Sequence, residues 1–417
     1  MSKAYLEGRA EANRCLFCFD APCKADCPVG IDVPGFIRRI LHENLQGSYQ
    51  LIYRENPLSW ICGVLCPTEK LCASRCPRRR MDRAIDIGGL QAYASVRSVE
   101  VPVSKERQAV FKTRVAIVGA GPAGLTAALY LSQREVKVDL FDAEEFPGGL
   151  ITYGIRPDKV DKRRVLQEIE KLLSHPGISI HLKTRISSPH DLLKGHEAVY
   201  VATGLGTEEI DERAGRFDNV YPATAFLKKV NTSNLKGQTF KGRLGENVVV
   251  IGGGNTAMDA ALTARQVGVS NVTIVYRRTE DEMPAWKREV EEARIRGIHL
   301  RFLLGPDSFH GKDGRISKVA FQPMKLGRPG SDGRKRVVPG KGPTVTLEVS
   351  SVIVATGREV KTPRWLRDET FDPAKGRLGE SRIWIGGELR NGVGLIVQAV
   401  SDGKEAARQI FESLEEK

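Results

Sequence analysis

Arg114-Val-Ala-Ile-Val118-Gly119-Ala-Gly121-Pro122-Ala123-Gly124-Leu125 decides the fold class of this chain. A short apolar run meets three spaced glycines and then the apolar stretch Leu125 to Leu131, which reads as strand, tight turn and helix. Gly119 makes the turn, Gly121 lets backbone approach a pyrophosphate, and Gly124 lets the helix pack on the strand. The helix start, with Pro122 and Ala123 in its first turn, offers free amides to phosphate. Val136 to Phe141 reads as the next strand. It ends in Asp142, 18 residues beyond Gly124, where a carboxylate accepts hydrogen bonds from a ribose diol. The unit is an adenine-dinucleotide site on a doubly wound parallel sheet, and the fold class is α/β.

The theme then repeats. Asn247 to Ile251 reads as a strand, Gly252-Gly-Gly254-Asn255-Thr256-Ala257 as the turn, Met258 to Val267 as the helix and Val272 to Tyr276 as the following strand. Where an NAD-type site would show an acid, Arg277 and Arg278 stand instead. Two guanidiniums suit a 2′-phosphate, which favours NADPH over NADH; the bland alternative is a pair of surface cations. Two matched strand–turn signals, Val199 to Thr203-Gly204 and Val352 to Thr356-Gly357, follow the two nucleotide units. They suggest that the chain leaves the first domain, builds the second and returns. The expected division is a helical domain over 1–108, an FAD domain over 109–236 and 352–417, and an NAD(P)H domain over 237–351. Val103 to Lys112 reads as a linker, and Lys325 to Pro343 as a hairpin with a basic tip. Near the C-terminus, Ile383-Trp-Ile385-Gly386-Gly387-Glu388 reads as a strand ending in an acid. A helix from Leu395 to Phe411 would then aim its positive end at a flavin pyrimidine edge.

All eight cysteines lie between Cys15 and Cys76. They fall as Cys15-x2-Cys18-x4-Cys23-x3-Cys27-Pro28 and Cys62-x3-Cys66-x5-Cys72-x3-Cys76-Pro77. Tight thiolate runs with a more distant Cys-Pro follow two-cluster ferredoxin logic, so two [4Fe–4S] clusters are expected. Zinc is the competitor, because paired cysteines also make four-thiolate zinc sites. A zinc site would be redox-silent, and no dithiol beyond Cys76 offers another route out of a flavin.

Composition narrows the class further. The chain has 417 residues, 41% hydrophobic and 28% charged, ordinary for a globular protein of several domains. Its net charge of +13 comes from cations spread along the whole length, and aromatic residues make up only 6%. Nucleic-acid binding, which wants clustered cations interleaved with aromatics, is not expected. No apolar run reaches membrane-spanning length and the first residues lack a signal-peptide core, so the expectation is a cytoplasmic enzyme.

The cysteine segment, Gly119 to Gly124, Phe146-Pro147-Gly148-Gly149-Leu150-Ile-Thr-Tyr153-Gly154-Ile155, Gly252 to Asp259, and Tyr276-Arg277-Arg278-Thr-Glu-Asp-Glu-Met283-Pro284 carry a resemblance. Together they resemble the electron-input flavoprotein shared by the small subunit of bacterial glutamate synthase and the N-terminal half of dihydropyrimidine dehydrogenase. The resemblance implies a helical domain with two [4Fe–4S] clusters, joined to an FAD domain that an NAD(P)H domain interrupts. It implies one ligand set of Cys15, Cys18, Cys23 and Cys76, and a second of Cys27, Cys66, Cys72 and Gln91. Cys62 has no place in these sets; as a thiolate it stays the alternative to Gln91. Glu388 departs from the Asp usual at its position, and Arg156-Pro157 also departs; both are compatible with flavin binding. Phe19-Asp-Ala-Pro-Cys23, Ile85-Asp-Ile-Gly-Gly-Leu-Gln91 and Thr203-Gly-Leu-Gly206 resemble the dihydropyrimidine dehydrogenase branch. The short stretch before Cys15 fits a separate flavoprotein subunit. On that branch a partner subunit carrying FMN and iron–sulfur centres would reduce uracil or thymine. Glutamate synthase and an NADPH:ferredoxin-type or bifurcating reductase are the alternatives.

Overall fold

The computed structural model describes residues 7–98, 113–206, 208–330, 333–358, 364–366, 371–372, 376–392 and 394–416. The linker expected over Val103 to Lys112 lies outside the described residues. The chain divides into two compact units, one of residues 1–151, 163–205 and 360–417, the other of 152–162 and 206–359.

The first unit opens with helices α1 (Gly8–Ala12), α2 (Val33–Leu41), α3 (Leu45–Glu55), α4 (Ser59–Leu65) and α5 (Ile87–Arg97). Three of them start alike. The side chains of Asp32, Asn44 and Asp86 accept the backbone N–H of Gly35, Gly47 and Gly89 at 3.1, 2.8 and 2.9 Å. Each satisfies a donor that a helix start leaves orphaned. Buried Glu11 ties α1 to the chain before α5, accepting the Asp86 N–H at 2.9 Å and pairing with Arg83 at 2.6 Å. Where α4 crosses α5 there is no room for side chains. A Cβ on Gly63 would lie 2.7 Å from the Ala92 nitrogen, and one on Gly88 2.7 Å from the Gly63 oxygen.

The same unit holds a seven-stranded sheet. Strands β1 (Thr113–Val118), β2 (Val136–Phe141), β3 (Ile178–His181) and β4 (Ala198–Val201) run parallel with β16 (Ile383–Ile385). The order is β14-β15-β16-β4-β1-β2-β3, with β14 (Phe371–Asp372) and β15 (Arg377–Leu378) added as an antiparallel edge. Helices α6 (Pro122–Ser132) and α7 (Lys162–Leu173) follow β1 and β2, and α11 (Ile396–Glu415) ends the chain. Strand β1 is flanked by β2 and β4, so its carboxyl end is the switch point at which such sheets bind ligands.

The second unit is built on a five-stranded parallel sheet ordered β5-β13-β6-β7-β8. Its strands are β5 (Val220–Pro222), β6 (Asn247–Ile251), β7 (Asn271–Tyr276), β8 (His299–Phe302) and β13 (Ser351–Val354), with helices α8 (Ala223–Leu235), α9 (Asn255–Gln266) and α10 (Lys287–Ile295). A separate antiparallel sheet joins β9 (Leu304–Lys312), β10 (Arg315–Pro329), β11 (Lys335–Pro339) and β12 (Val345–Glu348), so the expected basic hairpin is β10–β11. The boundaries expected at 237 and 352 need correction. β5 and β13 pair with each other inside this second sheet, so the chain changes unit near 206 and near 360. Val352 to Gly357 closes the second unit before the return.

Candidate functional site

Both glycine turns are shaped by contacts that a side chain would break. Gly119 has φ +111° and a Cβ there would lie 2.4 Å from the Ala202 oxygen; on Gly124 it would lie 1.9 Å from the Gly119 oxygen. Gly121 is the opposite case, with nothing within 4 Å of where its Cβ would be. Two glycines are therefore fixed by packing and the third faces free space, as a pyrophosphate cradle requires. Gly148 donates to the Ala120 carbonyl at 2.7 Å, and a Cβ on Gly149 (φ +54°) would lie 3.1 Å from the Gly121 Cα, so the segment before Leu150 folds onto the turn. Asp142 accepts the Ala120 N–H at 2.7 Å and the Glu144 N–H at 2.8 Å, which aims its carboxylate across the mouth of the turn.

On the other side of β1, Thr203 and Gly204 continue from β4, and the Cβ position of Gly204 is 3.7 Å from the Glu388 carboxylate. Sequence reasoning missed what holds that acid in place. Asp402, buried on α11, accepts from the Gly387 N–H, from the Tyr200 hydroxyl at 3.1 Å, and from Arg390 and Asn391 at 3.1 Å each. It pins the Gly386–Glu388 turn to the helix that starts after Leu395. The signal was present: an acid in the apolar stripe Val397, Val400, Ala406, Ala407. Beneath it α11 meets α6 in backbone contact, since a Cβ on Gly403 would lie 2.2 Å from the Ala123 oxygen. This cradle fits FAD.

The second turn repeats the logic. Gly252 (φ +147°) would place a Cβ 2.2 Å from the Ala355 oxygen, and Gly254 has only Pro284 at 3.9 Å. Asn255 is committed to the Trp286 N–H, accepting it at 2.9 Å, while Thr256 sits beside it in the first turn of α9; Thr356 and Gly357 (φ +110°) leave β13 beside it in sequence. Arg277 is exposed at the end of β7. Arg278 is not its equal: only 13% exposed, it donates to the Lys335 carbonyl at 3.2 Å and lies 3.7 Å from Glu282. Deeper in this unit, Arg156 is buried among Asp259, Glu289 and Glu292, and Lys159 pairs with Glu289 at 2.8 Å.

The eight thiols gather in two neighbourhoods. Cys15, Cys18, Cys23 and Cys76 line one small apolar cavity, walled by Pro22, Val33, Ile37 and Ile87. Burial, together with Cys15 and Cys76 alongside, pushes the Cys23 thiol up to about 12. The other neighbourhood holds Cys27, Cys62, Cys66 and Cys72. Burial pushes Cys66 up, with Cys62 and Cys27 adding to it, and Cys72 up, with Cys66, Cys27 and Cys23 adding to it. Cys62 is pushed up to about 12 by burial, against a lowering contact from Asn56. Two groups of four thiols gathered in this way are the donor chemistry that [4Fe–4S] clusters take. Gln91 is buried on α5, its Nε2 donating to the Ser59 carbonyl at 2.6 Å.

Residues 113–401 match the family model described as pyridine nucleotide-disulphide oxidoreductase. The chain belongs to that family. Ahead of it, residues 2–101 match the dihydropyrimidine dehydrogenase domain II, 4Fe-4S cluster family, which decides the cysteines for iron–sulfur over zinc. This pyridine nucleotide-disulphide oxidoreductase is 31% identical to the glutamate synthase [NADPH] small chain of Escherichia coli over 440 residues, 98% of this chain and 92% of that protein. It is equally 31% identical, over 411 residues, to the NAD-dependent dihydropyrimidine dehydrogenase subunit PreT of E. coli, covering 97% and 94%. Among solved structures, Mycobacterium tuberculosis FprA in complex with NADPH shares the fold at TM-score 0.60 and 19% identity, covering 73% of this chain and 85% of that one. The oxidoreductase is thus an NAD(P)H-dependent FAD and iron–sulfur protein of the electron-input type. Among its described residues no helix is long and apolar enough to cross a membrane.

Proposed function

We propose that this chain takes reducing equivalents from NADPH and hands electrons to a partner subunit carrying FMN and iron–sulfur centres, which reduces uracil or thymine to the dihydropyrimidine. FAD held in this cradle would supply the exchange between two-electron hydride chemistry and single-electron transfer to iron–sulfur centres. The chain's own residues bind, orient and connect; no side chain has to move a proton for that.

The observation that carries the reading is a physical connection inside the first unit. Helix α11 starts at the flavin-side turn, and its Ser401 hydroxyl donates to the carbonyl of Pro28, next to Cys27, at 2.9 Å. Lys404, one turn on, pairs with Glu55 at the end of α3. The flavin cradle is thereby tied to the Cys27 neighbourhood, and Cys72 in turn neighbours Cys23 of the other set. We assign Cys27, Cys66, Cys72 and Gln91 to the cluster on the flavin side and Cys15, Cys18, Cys23 and Cys76 to the outer one. Beyond the outer set, Leu16, Phe19 and Met81 are exposed apolar side chains, with Arg79 and Arg80 exposed beside Met81 in sequence. Arg78 is engaged by Asp82 at 2.9 Å. That mixed face suits a docking partner.

The pyrimidine branch is supported by the run Ile85 to Gln91, by Phe19 to Cys23 and by the likeness to PreT. Glutamate synthase is the second reading, favoured by the equal likeness to its small chain. Co-purification followed by assay separates them. The expected result is an FMN-bearing partner and NADPH oxidation dependent on uracil or thymine. Recovery of a glutaminase-bearing large subunit that forms glutamate overturns the pyrimidine assignment.

A further inference from the structure

Gln91 is the one non-thiol in the two ligand sets, and a neutral amide oxygen is a weaker iron ligand than a thiolate. Such a ligand depends on its supporting hydrogen bonds to be presented correctly. The Ser59 carbonyl only accepts, so the Gln91 amide nitrogen is committed to it, at 2.6 Å, and the oxygen is left as the ligating end. The position of Ser59 therefore fixes which way the amide faces.

Ser59 is itself held from a distant part of the sequence. Glu168, on α7, accepts the Ser59 hydroxyl at 3.1 Å, the Trp60 N–H at 2.7 Å and the Ile61 N–H at 2.9 Å. Its carboxylate thus spans the whole first turn of α4. Ser95 completes the group, donating to the Gln91 backbone carbonyl at 2.8 Å and standing 3.1 Å from the Ser59 hydroxyl. Helix α4 carries the Ser59 carbonyl at its start and Cys66 just past its end, and it touches α5 backbone to backbone at Gly63 and Gly88, so the turn that Glu168 holds sets where both lie against Gln91. Arg164, one turn before Glu168, lies over the Trp60 ring at 5.1 Å and adds a second hold on the same turn.

We propose that Glu168, acting through Ser59, is a positioning residue for the Gln91 ligand of the flavin-side cluster. The inference rests on the reading that Gln91, and not Cys62, completes that ligand set. Glu168 touches neither cluster nor substrate; it locks the turn whose carbonyl orients the amide.

The test uses the full-length protein with its cofactors, handled anaerobically, and reads the electron paramagnetic resonance of the reduced clusters with iron and flavin content. Gln91→Ala should alter one of the two cluster signals. Glu168→Ala should shift that same signal in the same direction, and Glu168→Gln by less, with flavin content and the other signal unchanged. The decisive comparison is in a Gln91→Cys background, where a thiolate binds iron without an oriented amide. There Glu168→Ala should leave the signal where Gln91→Cys alone puts it. A shift that persists undiminished in that background, or a wild-type signal in both Glu168 variants, overturns the proposal. If Glu168→Ala does not fold, Glu168→Gln carries the same comparison. Wild-type signals in Gln91→Ala together with loss of one cluster in Cys62→Ser would overturn the ligand assignment beneath it, an outcome distinct from failure at Glu168 alone.

Discussion

Arg277 and Arg278 are neighbours in sequence and opposites in circumstance. The sequence shows two guanidiniums where an NAD-type site would carry an acid, and from that alone they are equivalent. The structure separates them, because Arg278 is drawn against β11 and Glu282, while Arg277 is exposed at the strand end and has no such partner among the described residues. A guanidinium already facing a carboxylate has less to give a 2′-phosphate. Replacing Arg277 by Ala should therefore weaken NADPH use by about 1.5–3 kcal/mol, the worth of a charged hydrogen bond, or roughly ten- to hundredfold in KM. NADH use should change little, and Arg278→Ala should discriminate less between the two nucleotides. Steady-state KM values for both nucleotides in both variants check this; equal losses for NADPH and NADH in Arg277→Ala would refute it. The same scale shows where sequence reading stops. Asp402 and Glu168 each act on residues far away in the chain, Tyr200 and Ser59; an acid within an apolar stripe signals burial, but its sequence does not name the partner.

At the scale of elements, the sequence was most legible where the constraint is local. Strands β2 and β6 run from Val136 to Phe141 and from Asn247 to Ile251, as the apolar runs predict, because a buried parallel strand needs little more than such a run between turn signals. The unit boundary was not legible. β5 is three residues long, ends in Pro222 and pairs at the edge of a sheet whose other strands come later, so nothing local marks it as the start of the second unit. Contacts between elements are equally hidden, and Gly403 is the instructive case: in sequence it is a glycine inside a helix, where it costs stability. The structure gives the reason, since its missing side chain lets α11 lie on the Ala123 carbonyl at the start of α6. Gly403→Ala should force these helices apart, costing about 1–3 kcal/mol by overpacking despite the better helix propensity of Ala. Because α6 begins at the pyrophosphate turn, the loss should appear as flavin released on gel filtration as well as a lower Tm. A variant that keeps its full flavin and melts higher would show that the contact yields.

At the scale of the whole chain, the proposed function sets the cofactors in series, and a series can be cut at a chosen point. The hydride half-reaction needs the two glycine turns and the elements that hold them, none of which contains a cysteine. In the proposed order the iron–sulfur domain lies downstream of it, and it is joined to the flavin cradle through Ser401 and Pro28 and through Lys404 and Glu55. Replacing Cys66 or Cys72 by Ser should remove the flavin-side cluster. NADPH should still bleach the flavin at nearly the rate of the unaltered protein. Electron delivery to the physiological partner should fall to background, because the outer cluster then has no donor. Cys15→Ser should give the same separation one step later, with the flavin-side cluster still reduced by NADPH. Cys27 is the more demanding position, since it adjoins the Pro28 carbonyl that receives Ser401, and its replacement should also loosen flavin. Stopped-flow absorbance of the flavin, read beside partner-linked NADPH oxidation, distinguishes these cases. Partner reduction that survives loss of the Cys66 or Cys72 ligand would mean that electrons leave the flavin without crossing the iron–sulfur domain, and the serial arrangement would fall.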